Sequence, residues 1–128
     1  MQLVLVDTSV WVDYFGGARY ATALDALIDD NLLVTNDLIL AELVPYLQTR
    51  RHTKVVALLQ AINRISLEID WADIINMQVK CLRGGANGVA IPDLVIAQNA
   101  RQHGCVIFSL DKHFQLIRRV CSGFELLH

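Results

Sequence analysis

The chain has 128 residues, of which 54% are hydrophobic and 19% charged, with two prolines. So much apolar surface offsets the entropy of ordering and excludes disorder, and the length suits one domain over 1–128. No stretch without Asp, Glu, Lys or Arg exceeds nine residues, far short of the ~20 apolar residues of a membrane span, while the net charge of −2 excludes no partner, since buried acids and a basic approach can coexist.

Leu3-Val4-Leu5-Val6 is a short, wholly apolar run, predicted as a parallel strand covered on both faces, with Asp7 at its carboxyl end. It lacks the basic flank and longer apolar stretch of a secretory signal, so a cytoplasmic location is expected. Residues 8–15 read as a helix stopped by Gly16-Gly17, and 20–30 as a second with Ala21, Leu24, Leu27 and Ile28 on one face. A strand over 32–34 precedes helices over 38–49 and 53–63, joined by the basic turn Arg50-Arg51-His52. Residues 65–69 read as a third strand, and 71–83 as a helix with Ala72, Ile75, Val79 and Leu82 at helical spacing. The loop Gly84-Gly85-Ala86-Asn87-Gly88 has no phosphate-cradle order and reads as a helix stop. Pro92 opens a helix to about His103, closed by Gly104. A strand over 105–109, a helix over 112–119 opened by Asp111, and an edge strand over 124–127 complete the chain. Strands alternating with helices, without hairpin dipeptides, predict an α/β fold: a three-layer sandwich whose short, mainly parallel sheet of four or five strands lies between helices.

In such sheets ligands bind beyond the carboxyl ends of the strands, where Asp7 and Asp111 fall. Glu42 interrupts the apolar helix Leu38-Ile39-Leu40-Ala41-Glu42-Leu43-Val44 and needs a cation, a donor or a polar cavity. Asp93 sits in the first turn of the Pro92 helix. Each acid has an ordinary reading: Asp7 and Asp111 as helix caps, Asp93 as a favourable charge at a helix start, Glu42 as a solvated or ion-paired residue. Together they read differently, because carboxylates so gathered repel unless a divalent cation neutralises them. Oxygen donors alone point to Mg²⁺ or Mn²⁺, and such a site suits phosphodiester hydrolysis. Asp13, flanked by equally apolar neighbours, is read as a surface residue. Cys81, Cys105 and Cys121 have neither disulfide nor zinc spacing.

The pattern Leu5-Val6-Asp7-Thr8-Ser9, Leu40-Ala41-Glu42, Ile91-Pro92-Asp93-Leu94-Val95-Ile96-Ala97 and Ser109-Leu110-Asp111-Lys112-His113-Phe114 resembles the PIN domain, specifically the VapC ribonuclease toxins of toxin–antitoxin pairs. The resemblance implies a metal-dependent endoribonuclease whose acidic pocket comprises Asp7, Glu42, Asp93 and Asp111, supported by hydrogen bonds from Ser9 and Ser109. It further implies RNA as substrate, a homodimer, and a small VapB-type antitoxin. Many relatives carry a further Asp where this chain has His113, which is read as a bystander and puts a second metal in doubt.

For RNA approach the candidates are Arg50, Arg51, His52 and Lys54, with Lys112, Arg118 and Arg119 near the last helix. Trp11, Tyr14, Phe15 and Tyr20, gathered around Gly16-Gly17, are expected to face a partner. Two other readings remain: a catalytically silent RNA- or partner-binding module, and a phosphoacceptor signalling domain. The latter fits worse, because Asp7 is followed by Thr8 rather than a second acid.

Overall fold

The computed structural model describes residues 2–16 and 21–127. The elements run β1 (Val4–Val6), α1 (Thr8–Gly16), α2 (Ala21–Asp29), β2 (Leu33–Thr35), α3 (Asp37–Thr49), α4 (Thr53–Ala61), β3 (Asn63–Arg64), α5 (Trp71–Arg83), α6 (Ile91–His103), β4 (Val106–Phe108), α7 (His113–Val120) and β5 (Glu125–Leu126). The five strands form one sheet in the order β3-β2-β1-β4-β5, every pair parallel. This is the α/β sandwich expected from the sequence, and no described helix is long and apolar enough to cross a membrane.

The central strand shows why the sheet needs two covers. Its side chains alternate between faces: Leu5 packs with α5, α6 and α7 through Ile74, Leu94 and Phe114, while Val4 and Val6 pack with α1 to α4 through Trp11, Leu24 and Leu43. The apolar run is therefore buried throughout. Helix α6 is buried on every side over seven consecutive residues, 94–100, and Gly104 ends it at φ 65°, a left-handed cap that glycine adopts without strain.

Three expectations are corrected here. First, residues 65–69 are not a strand. β3 is confined to Asn63–Arg64, so the preceding helix stops at Ala61 rather than 63. The alternation is real, with Ile65, Leu67 and Ile69 half-buried against the core, but after the Ile65 N–H bonds Thr35 O at 2.9 Å the carbonyls that follow are met by side chains of α6. Asn99 Nδ2 donates to Ser66 O at 2.9 Å, Gln102 Nε2 to Glu68 O at 3.0 Å, and Gln98 bonds both the N–H and C=O of Asp70 at 3.1 and 3.0 Å. Period two signals an extended chain, not its partner.

Second, α5 buries Ile74, Met77 and Cys81, whereas Ile75 and Leu82 of the expected face are 66% and 63% exposed. With Trp71, 57% exposed, they make an apolar stripe on the outer side of the helix. Third, Trp11 is buried and stacks on Phe15 with ring centroids 5.9 Å apart, and half-buried Tyr14 meets it edge-on at 6.0 Å. Trp11 thus belongs to its own chain's core rather than to a partner-facing surface, while Tyr14 and Phe15 pack beside it and stay half-exposed. Gly17 and Tyr20 lie outside the described residues. Asp13 is half-buried, and the three cysteines are free and buried.

The carboxamide of Asn99 joins two elements, since it also accepts from Asn36 Nδ2 at 2.9 Å. Asn99→Ala would strand the buried Asn36 amide and release Ser66, so chemical denaturation is expected to show a loss of about 2–4 kcal/mol. Gln102→Ala, at an exposed position, should cost less than about 1 kcal/mol. Equal effects would refute the distinction.

Candidate metal and active site

The sheet order places β4 beside β1, and the path to β2 leaves from the opposite side of β1. The crevice between the carboxyl ends of β1 and β4 is thus the switch point where α/β sheets bind ligands. Asp7 and Ser109 directly follow these two strands. Asp7, 7% exposed, continues the ladder with its N–H on Phe108 O at 2.9 Å, and its own carbonyl accepts from Val10 and Trp11 as α1 begins. The cap role therefore holds, and the carboxylate does something further.

Asp7 Oδ2 accepts from Ser9 Oγ and from Ser109 Oγ, both at 2.8 Å, and more weakly from Ser9 N–H at 3.4 Å. The two serine oxygens are 3.2 Å apart. Each serine also receives a backbone N–H, Ser9 Oγ from Leu110 and Ser109 Oγ from Asp111, both at 3.0 Å. The hydroxyls thus tie the loop after β4 to the start of α1, and hold Asp111 beside Asp7.

Asp111 Oδ1 accepts the N–H of His113 at 2.9 Å, a turn that starts α7 after Lys112. Asp93 enters from the other direction: it is in the first turn of α6, and its Oδ2 accepts the N–H of Ala90 at 3.1 Å. His113, read from the sequence as a bystander, joins them. Its Nδ1 lies 3.2 Å from Asp93 Oδ2 and 3.2 Å from Asp111 Oδ1, and donor atoms of Asp93, Asp111 and His113 all fall within 4.8 Å of one another. Its sequence signal was the two-residue spacing from Asp111; the contact with Asp93, twenty residues earlier, is tertiary.

Glu42 is less buried than its apolar neighbours suggested, on the exposed side of α3. Its helix is aimed at the crevice by Asn36, which caps α3 through Oδ1 and the Ile39 N–H at 2.8 Å. Glu42 holds its proton more tightly than an ordinary carboxyl, through partial desolvation first, then the charges of Asp7 and Asp93. Asp93 is raised as well. Burial is the largest cause and the charges of Asp111 and Asp7 add to it, while the Ala90 N–H and His113 oppose it. The acids of β1, α3, α6 and the β4–α7 loop therefore share one electrostatic neighbourhood.

The basic candidates divide. Arg50 lies over the Tyr46 ring at 3.8 Å; Arg51, His52 and Lys54 line a shallow depression of about 280 Å³ at the α3–α4 turn. Arg50 follows Glu42 by eight helical positions, roughly 12 Å along the axis. Lys112 is exposed beside Asp111, and Arg119 is exposed on α7. Arg118, also exposed, pairs with Glu125 at 2.7 Å and donates to Phe124 O at 3.2 Å, holding the last strand.

The family profile described as the PIN domain matches residues 4–120. No curated protein sequence matches the chain. Among solved structures, the DNA-bound VapBC of Salmonella typhimurium aligns at a TM-score of 0.74 and 15% identity, covering 99% of this chain and 98% of that one. VapBC2 of Rickettsia felis, bound to a fragment of its promoter, aligns at 0.76 and 15%, covering 98% of each chain. VapC20 of Mycobacterium tuberculosis, a toxin that cleaves the sarcin–ricin loop, aligns at 0.62 and 21%, covering 88% of this chain and 92% of that one.

Because folding raises the proton affinity of Asp93, the folded chain binds more protons than the unfolded one between the usual carboxylate range and the raised value. Stability is accordingly lost as pH rises through that window. Asp93→Asn, which keeps an acceptor for Ala90 N–H, should melt roughly 2–5 °C above the metal-free parent at pH 7, with the gain vanishing below the usual carboxylate range. A variant less stable than its parent at pH 7 would contradict this assignment.

Proposed function

Since the chain belongs to the PIN-domain family, we propose that it is a metal-dependent endoribonuclease, a single domain over 1–128, acting in the cytoplasm as the toxin of a toxin–antitoxin pair. The observation that carries this reading is the meeting of acids from four separate elements at the β1/β4 switch point, around a buried carboxylate fixed by two serine hydroxyls.

The residues fit a divalent cation such as Mg²⁺ or Mn²⁺. Glu42 and Asp93 have raised proton affinity, partly through neighbouring carboxylates, a repulsion that a cation relieves. Asp7, Asp93 and Asp111 would hold it, with Glu42 at the open side. Bound there, it would supply charge to the scissile phosphate and acidify a water. The chain's own residues have distinct tasks. Ser9 and Ser109 keep Asp7 Oδ2 occupied, which fixes the orientation of the carboxylate. Glu42 is suited to take the proton of the attacking water on its carboxylate, because partial burial and the charges of Asp7 and Asp93 raise its proton affinity. Arg51, Lys54 and Lys112 are exposed and are the cations proposed to meet RNA phosphates.

RNA rather than DNA is proposed from the likeness to VapC toxins, one of which cleaves the sarcin–ricin loop. With RNA as the probe and Mg²⁺ or Mn²⁺ present, the purified chain should cleave internally and stop when a chelator is added. Asp7→Asn should reduce the rate by more than about 100-fold, and Ser109→Ala by about 10-fold. Cleavage that survives chelation overturns the metal mechanism; RNA binding without cleavage favours the silent-module reading; equal turnover of DNA overturns the substrate.

The VapBC complexes among the structural neighbours support a VapB-type antitoxin as partner, and the working form is proposed to be a homodimer. The Trp71, Ile75 and Leu82 stripe of α5 is apolar surface that association would cover. Sedimentation should give twice the 14.3 kDa chain mass, and Ile75→Asp with Leu82→Asp should shift it to the monomer. A dimer indifferent to both changes would place the contact elsewhere.

A further inference from the structure

We infer that His113 is itself a metal ligand, and that with Asp93 and Asp111 it forms a nitrogen-and-oxygen site that holds a divalent transition ion such as Mn²⁺ in preference to Mg²⁺. This rests on the metal-site reading above and narrows it to the kind of ion.

The geometry suits a coordination vertex. One ring nitrogen stands 3.2 Å from an oxygen of Asp93 and 3.2 Å from an oxygen of Asp111. An N–H shared between both oxygens would make a three-centre bond with each separation at the outer limit of an N–H···O bond, whereas the unprotonated nitrogen and the two oxygens can all face one ion. The two edges from the ring nitrogen, 3.2 Å each, are close to the ~3 Å edge between adjacent ligands of an ion whose bonds are ~2.1 Å long, and all three donors lie within 4.8 Å of one another.

The donors are also held in place. Asp93 Oδ2 is steadied by Ala90 N–H at 3.1 Å and Asp111 Oδ1 by His113 N–H at 2.9 Å, so each carboxylate is fixed while a lone pair still faces the vertex. Behind the imidazole, Nε2 is 3.6 Å from where a side chain at Gly88 would begin, and Gly88 has φ 84°. The glycine loop thus backs the ring with bare backbone, a packing role that sequence order alone did not suggest.

Imidazole nitrogen changes what such a site prefers. Mg²⁺ is bound through carboxylate and water oxygens by charge and tight octahedral size, and a neutral nitrogen in place of an oxygen anion weakens that attraction. First-row transition ions accept imidazole, with affinities rising from Mn²⁺ towards Cu²⁺.

The test uses the full-length, metal-free chain with Mn²⁺ as probe. Titration followed by electron paramagnetic resonance gives its affinity, competition with Mg²⁺ gives the preference, and pulsed measurement of nitrogen-14 modulation reports a directly bound imidazole. The parent should show that modulation and need roughly 30-fold or more excess Mg²⁺ to release half the Mn²⁺. In His113→Asp the modulation should vanish and about 10-fold less Mg²⁺ should suffice, while His113→Gln should bind Mn²⁺ about 10-fold more weakly. Mn²⁺ bound without nitrogen modulation, or a preference unchanged in His113→Asp, overturns the inference and leaves the metal site standing. Failure of Mn²⁺ to bind the parent overturns both. The parent's own spectrum decides the matter even if a variant does not fold.

Discussion

A carboxylate buried at the end of the central strand sets the terms for the rest of the site. Asp7 is 7% exposed, and an unpaired charge at that depth would cost several kcal/mol. The cost is offset by two hydroxyls from opposite ends of the chain, Ser9 and Ser109. That arrangement exists only if β4 lies beside β1 in register, Val6 opposite Phe108. Once it does, the same hydroxyls accept the N–H groups of Leu110 and Asp111, so the condition that stabilises the first acid also places the last.

Helix α6 provides the second support, by being buried while carrying polar side chains. Its first turn bears Asp93, and its middle bears Gln98 and Asn99, 2% and 1% exposed. Such groups are tolerated only when bonded, and their partners are informative. Gln98 and Asn99 hold the extended 65–70 segment, and Asn99 holds Asn36, which caps the helix carrying Glu42. One helix therefore positions Asp93 directly and Glu42 through a short chain of amides.

What the sequence discloses follows from what is local. Short apolar runs that stop at an acid reveal β1 and its Asp7, because strand burial and strand ending are both written within five residues. The Ile65, Leu67, Ile69 alternation reveals an extended chain but not that α6 side chains replace the neighbouring strand. Helix α5 is apolar on two sides, Ile74, Met77 and Cys81 on one and Trp71, Ile75 and Leu82 on the other. Periodicity cannot choose between them, and only the position of α6 does. The place of His113 depended on Asp93, and that of Arg118 on Glu125, contacts between elements that no spacing encodes.

The remaining question is why a chain would keep acids together at all. Elsewhere three of its carboxylates pair with arginines: Asp37 with Arg64, Asp73 with Arg101, Glu125 with Arg118. Among the described residues, the ion pairs give Asp7, Glu42, Asp93 and Asp111 no arginine or lysine; His113 alone approaches Asp93 and Asp111. A network kept for stability holds its carboxyls ionised, with proton affinity lowered by the cations beside them. Here Glu42 and Asp93 are shifted the opposite way by burial and by their neighbours' charges, so at neutral pH folding proceeds against the cluster rather than because of it. Perturbation of that sign, at a strand-end crevice, marks a place whose favourable interactions are made with something that binds there. On the proposed function a divalent cation would supply the opposing charge, and the fixed carboxylates of Asp7, Asp93 and Asp111 are the part of that interaction already built into the fold.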